Sequence, residues 1–165
     1  MTIQAPKEAD IKFVVTVYKD MEFADEIEFC KSFNDYKSAL DCYNEEVAKS
    51  EGTYFVELTL ETLINNDLSI QQVVHNFEDE KRKVTVEAPE EVEAYFVVQT
   101  YKDMDYTDGI ENSNSFNDYN SALEVYNNLV NHSNGSYLVT LALETAIDSE
   151  YDCILLADNQ ESEVQ

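Results

Sequence analysis

Ser32-Phe33-Asn34-Asp35-Tyr36-Lys37-Ser38-Ala39-Leu40 returns 83 residues later as Ser115-Phe116-Asn117-Asp118-Tyr119-Asn120-Ser121-Ala122-Leu123. The same shift sets Phe13-Val14-Val15 against Phe96-Val97-Val98 and runs without a gap as far as Glu80 against Glu163. Nearly half of the aligned positions are identical, and similarity of that extent at one offset is an internal duplication. Ahead of this block, Thr2-Ile3-Gln4-Ala5-Pro6 answers Thr85-Val86-Glu87-Ala88-Pro89. The repeats therefore read as residues 1–83 and 84–165, divided near Lys83. What differs between them is what the fold leaves free.

The opening stretch is a helix start. Ser, Asn and Asp are favoured N-caps, and an acid early in the first turn suits the helix dipole. Tyr36, Ala39, Leu40, Tyr43 and Val47 then form one apolar stripe, which Tyr119, Ala122, Leu123, Tyr126 and Val130 repeat. Gly52 and Gly135 stand just past the last turn, where a left-handed residue stops a helix.

The flanking segments are β-rich. Ile11–Tyr18 and Ala94–Tyr101 carry Phe, Val, Thr and Tyr and read as strands. Tyr54, Val56, Leu58 and Leu60 alternate with Glu57, Thr59 and Glu61, and Tyr137, Val139, Leu141 and Leu143 match the first set. A polar turn leads to a last strand near Leu68–Val74 or Tyr151–Ala157. A further strand is suggested around Ile27–Lys31, although its counterpart Asn112-Ser113-Asn114 has little strand character. The predicted fold class is α+β: two tandem β-(β)-α-β-β modules, each a small antiparallel sheet with one helix on its apolar face. A pseudo-twofold relation is open to two such modules. Ala5-Pro6 and Ala88-Pro89 read as the lead-in to each module, and the tail Asp158–Gln165 is polar.

Charge is the second unusual property. Thirty-five acids against ten Lys and Arg give a net charge of −25 and a pI near 4.1. Such a field repels phosphate backbones and anionic membranes, so direct nucleic-acid or membrane binding is not expected. No apolar run approaches the ~20 residues of a membrane span and no secretory leader is evident, so a cytoplasmic protein is expected. Cys30, Cys42 and Cys153 align with Ser113, Val125 and Ile70, which is neither a disulfide framework nor a zinc pattern. The charge is also uneven. Residues 1–83 hold nine basic and eighteen acidic side chains, net −9; residues 84–165 hold Lys102 and seventeen acids, net −16.

Catalytic machinery is not legible. Three glycines in the chain preclude a glycine-rich phosphate loop. His75 and His132 align with Asp158 and Lys49 and have no metal-ligand spacing, and no nucleophile or kinase signature occurs. The run Asp103-x-Asp105-x-Thr107-Asp108-Gly109 is rich in oxygen ligands, yet a calcium loop would need Gly and Glu where Asp108 and Asn114 stand. The chain reads as a non-enzyme without cofactor or metal.

The candidate site is the duplicated acidic segment. Asp20, Glu22, Phe23, Asp25, Ile27 and Glu28 recur as Asp103, Asp105, Tyr106, Asp108, Ile110 and Glu111. One reading is an acidic recognition loop displayed twice, with an aromatic for apolar contact. The plainer reading is a solvated loop whose Met, aromatic and Ile close the core. The first reading predicts a nucleic-acid mimic whose partner is a basic, nucleic-acid-binding protein, since duplex DNA presents one charge per about 1.7 Å. Small phage and mobile-element inhibitors of host nucleases and defence complexes are of this functional type. The alternative is a non-catalytic scaffold module that binds a protein through a sheet edge or helix face, its acidity serving solubility. Glu57, Glu61 and Glu144 are expected to extend the negative surface on the outer strand faces. Adaptation to high salt fits poorly with the asparagines, isoleucines and three cysteines.

Overall fold

A computed structural model describes residues 3–19, 26–76, 87–104 and 109–160. In the first copy β1 (Ala9–Tyr18) and β2 (Ile27–Phe33) precede α1 (Tyr36–Ser50), followed by β3 (Phe55–Ile64) and β4 (Asp67–His75). In the second, β5 (Val92–Tyr101), β6 (Ile110–Phe116), α2 (Tyr119–Ser133), β7 (Val139–Ile147) and β8 (Glu150–Asp158) follow the same order. The strands form two four-stranded antiparallel sheets, ordered β2-β1-β3-β4 and β6-β5-β7-β8. The duplicated α+β architecture is the one the sequence predicts.

β2 and β6 are full strands. β2 pairs with β1 from Phe13–Phe33 to Tyr18–Ile27, and β6 pairs with β5 from Phe96–Phe116 to Tyr101–Ile110. Each pairing slips by one residue at its last pair, between Val17 and Tyr18 and between Thr100 and Tyr101. These are solvated edge strands, so neither needs the apolar alternation that marks a strand in sequence. Backbone pairing overrides the low β-propensity of Asn112-Ser113-Asn114.

The helices begin one step later than an acid in the first turn would require. Asp35 and Asp118 are themselves the N-caps, in extended backbone, and accept from the N–H groups of Ser38 and Ser121 at 2.8 and 2.9 Å. Ser32, Phe33, Ser115 and Phe116 belong to the preceding strands. Both helices stop in left-handed backbone at Glu51 (φ 48°) and Asn134 (φ 46°), and Gly52 and Gly135 continue it.

The helix covers one sheet face in each copy. Phe13 meets Tyr36 with ring centroids 5.8 Å apart, and Phe96 meets Tyr119 at 5.4 Å. Val15, Val56, Leu58 and Leu60 are buried in the first copy, as are Val98, Val139, Leu141 and Leu143 in the second. The opposite face of the central strands is also withdrawn from water. Val14, Thr16, Phe55 and Thr59 are buried there, with Val97, Leu138, Thr140 and Ala142 at the aligned positions or their strand neighbours. Tyr54, placed inward by the alternation, is instead exposed.

Two compact units divide the chain, and neither is a contiguous half. One comprises residues 11–63 and 67–92; the other comprises 1–10, 64–66 and 93–165. The unit of the second copy thus takes in the N-terminal arm. Asp158 N–H donates to the Ile3 carbonyl at 3.1 Å, Ile3 N–H to Asp158 Oδ1 at 3.3 Å, and the Tyr119 hydroxyl to the Pro6 carbonyl at 2.5 Å. In the first copy's unit the same role falls to the connector, where the Tyr36 hydroxyl donates to the Pro89 carbonyl at 2.7 Å. Each Ala-Pro lead-in therefore packs with the copy that it does not precede. Among the described residues no helix is long and apolar enough to span a membrane.

Candidate functional site

Where the chain turns from β1 to β2, Lys19 and Glu26 close the base of the acidic loop. Lys19 N–H donates to the Glu26 carbonyl at 3.1 Å, and the two side chains form an ion pair. The pair raises the Lys19 ammonium above its ordinary range, first through the hydrogen bond and then through the charge of Glu26. The second copy has Lys102 and Gly109 at these positions, so its lysine has lost that carboxylate. Lys49 and Glu46 pair at 2.7 Å on α1, and His132 and Leu129 replace them on α2. Both of these ion pairs are thus absent by substitution from the second copy.

Of the nine candidate residues, Glu28, Asp103 and Glu111 are described. Asp20, Glu22, Asp25, Asp105, Tyr106 and Asp108 lie outside the described residues, as does Phe23. Glu28 and Glu111 occupy aligned, exposed positions on β2 and β6. Asp103 is half-buried and its carbonyl accepts from Leu138 N–H at 2.9 Å, so backbone pairing fixes where the second loop departs. Gln160 fastens the next residue, donating from Nε2 to the Met104 carbonyl at 3.0 Å. The isoleucines of the motif do not close the core. Ile27 is 57% exposed and Ile110 is 53% exposed. Each stands beside an exposed glutamate at the root of its loop, and the two copies keep this pair alike.

The outer-face acids are less available than their sequence positions imply. Glu57 is half-buried; it accepts from the Tyr18 hydroxyl at 2.8 Å and from Gln72 Nε2 at 2.9 Å. Burial, then the bond to Glu57, pushes the Tyr18 hydroxyl up to about 12. Around Glu144 the arrangement differs. Partial burial raises Tyr95 and Tyr151, and Glu144 adds to both through its charge and a hydrogen bond. Glu57 and Glu144 are thus tied to tyrosine hydroxyls.

The two outermost strands after the helix carry apolar side chains into water. Leu68 and Ile70 on β4, and Tyr151, Ile154 and Leu155 on β8, are exposed. Alternation alone predicts half of such a strand to be buried, but β4 and β8 project both faces into solvent over their first six residues. Cys30 and Cys153 are exposed free thiols and Cys42 is half-buried. Among the described residues no group of His, Cys, Asp and Glu converges as a metal-ligand cluster.

Sequence reasoning missed one repeated device. Asn76 accepts from Val56 N–H and donates to the Tyr54 carbonyl, both at 2.8 Å. Asn159 does the same for Val139 N–H at 2.7 Å and the Tyr137 carbonyl at 3.1 Å. Its identity in both copies was the available signal. No family model, curated protein or solved structure matches this chain.

Proposed function

We propose that the protein is a non-catalytic acidic decoy that occupies the basic, nucleic-acid-binding surface of a partner protein. The observation that carries this reading is the charge of the second copy: seventeen acids against Lys102 alone. Here the ion pairs at Lys19–Glu26 and Lys49–Glu46 have both been replaced, while the number of acids has hardly changed, from eighteen to seventeen. The negative field is therefore weakly compensated within the second copy, which favours fast, salt-sensitive association with a cationic surface. Ile27 and Ile110, exposed beside Glu28 and Glu111, supply the apolar contact that a purely electrostatic encounter lacks. Two like loops in one chain add avidity when the partner offers two basic sites.

The test is capture from nuclease-treated bacterial lysate on the immobilised full chain, washed at stepped salt and read by mass spectrometry. One or two nucleic-acid enzymes held at moderate salt and released at high salt support the decoy. Their loss from a variant carrying Asp103→Asn, Asp105→Asn, Asp108→Asn and Glu111→Gln assigns the second loop. Unchanged capture by that variant removes the loop from the mechanism. A diffuse set of basic proteins released together at low salt leaves the acidity as a solubility device.

A further inference from the structure

From β8 we infer a second interaction surface: a strand-addition site for an extended, cationic segment in which basic and apolar residues alternate. It does not rest on the decoy reading. In the order β6-β5-β7-β8, the β6 edge borders the acidic loop and β8 lies at the opposite edge of the same sheet.

Three properties of β8 converge. First, β7 pairs with one side of it, from Thr140–Asp158 to Ile147–Glu150, and the sheet order leaves its other side as an edge whose Asp158 end is capped by the Ile3 carbonyl. Edge strands offer a row of backbone groups to an added strand unless they are short, bulged, proline-bearing or lysine-bearing. β8 has nine residues with neither proline nor lysine, and its one register slip lies between Leu155 and Ala157, leaving 150–154 in regular pairing. Second, its side chains are sorted by face. Tyr151, Cys153 and Leu155 alternate with Glu150, Asp152 and Ile154. Tyr151 is 61% exposed, Ile154 42% and Leu155 37%, so both rows can be reached. Third, the surrounding charge has one sign. β7 and β8 together hold Glu144, Glu150, Asp152 and Asp158 and no Lys or Arg.

The occupant follows from those rows. An added strand places its residues directly opposite those of β8, where cross-strand neighbours interact. Valine, leucine or an aromatic suits the row of Tyr151 and Leu155, and lysine or arginine suits the row of Glu150 and Asp152. Asp152 at present accepts from the Cys153 N–H at 2.9 Å with its own carboxylate. An incoming carbonyl would take over that N–H and free the carboxylate for the partner's cation. A second copy of this chain is the wrong occupant, because each molecule carries −25. The first copy supplies an internal control. β4 also exposes Leu68 and Ile70, but Ser69 stands where β8 has Asp152, so its edge keeps only Asp67 of the two acids in that row.

The probe is an acetylated, amidated nonapeptide alternating lysine and valine, compared with a peptide of the same composition in two blocks. Both are titrated into the isotope-labelled full chain at about 0.15 M salt, where surface charge is largely screened beyond ~8 Å. The alternating peptide is expected to shift and protect the amides of residues 151–155 and to spare residues 68–72. Binding should be at least tenfold weaker for the block peptide. Tyr151→Lys with Leu155→Lys, both at exposed positions, should lower affinity for the alternating peptide at least tenfold. Asp103→Asn with Glu111→Gln should leave it unchanged, which separates this site from the acidic loops. Equal binding of both peptides, or shifts confined to the loop residues, would overturn the proposal by reducing it to bulk charge.

Discussion

Asp35 and Asp118 sit where the first N–H groups of each helix lack intrahelical partners. The backbone and side-chain bonds from Ser38 hold the Asp35 carboxyl below its ordinary range, and those of the Ser121 hydroxyl and N–H do so for Asp118. A folded-state pKa below the unfolded one means that the ionised form is preferred in the native protein. The stabilisation is then complete above about pH 4, the unperturbed Asp range, and is lost as pH falls through the lower folded value. Asn caps a helix nearly as well but does not titrate. Asp35→Asn with Asp118→Asn should lower Tm by a few degrees at pH 7, and the gap should close as pH drops below about 4. Circular-dichroism melts of both proteins between pH 2.5 and 7 check this; parallel curves would mean the charge contributes nothing. These caps were visible in the sequence as a class of residue, since Ser, Asn and Asp all cap. Which of them is the cap depended on where β2 ends, and edge strands leave the faintest trace in sequence.

Each hairpin after the helix is anchored by one amide. Asn159 satisfies the N–H of Val139, a fully buried residue, and also donates to Ser133 Oγ at 3.2 Å. Asn159→Ala strands that N–H in the interior, at a cost of about 1–3 kcal/mol. Chemical denaturation should show the loss with little change in the slope, whereas Asn128→Ala, on the exposed face of α2, should stay within about 0.5 kcal/mol. Equal effects would show the amide to be incidental. The alternation of Val56, Leu58 and Leu60 revealed the hairpin itself, because one face had to be apolar. The burial of Phe55 and Leu138 on the other face was hidden, for strand periodicity says nothing about a second covered surface. The candidate loops were legible as composition alone. Their acids repeat, but a carboxylate's availability depends on neighbours such as Tyr18, which folding brings to Glu57 from 39 positions away.

At the scale of the molecule, the duplication in sequence and the division in space do not coincide. The second copy's unit includes residues 1–10, held by Ile3 against Asp158 and by Pro6 against Tyr119. Removing residues 1–6 should therefore loosen the far copy. Hydrogen exchange should quicken at the end of β8 and the start of α2, while Phe13–Val17 of β1, in the other unit, keeps its protection. Faster exchange in β1 with α2 unchanged would contradict this. The arrangement also sets an order of events on the ribosome. Residues 11–92 contain the whole of the first unit, with 64–66 among them belonging to the other, and they emerge early. Lys7 and Glu8 can pair with Asn65 early, but Ile3 has no seat until Asp158 has been translated, roughly 8–31 s after it at typical elongation rates. A residue made ahead of both copies is thus seated only after nearly all of both has been made.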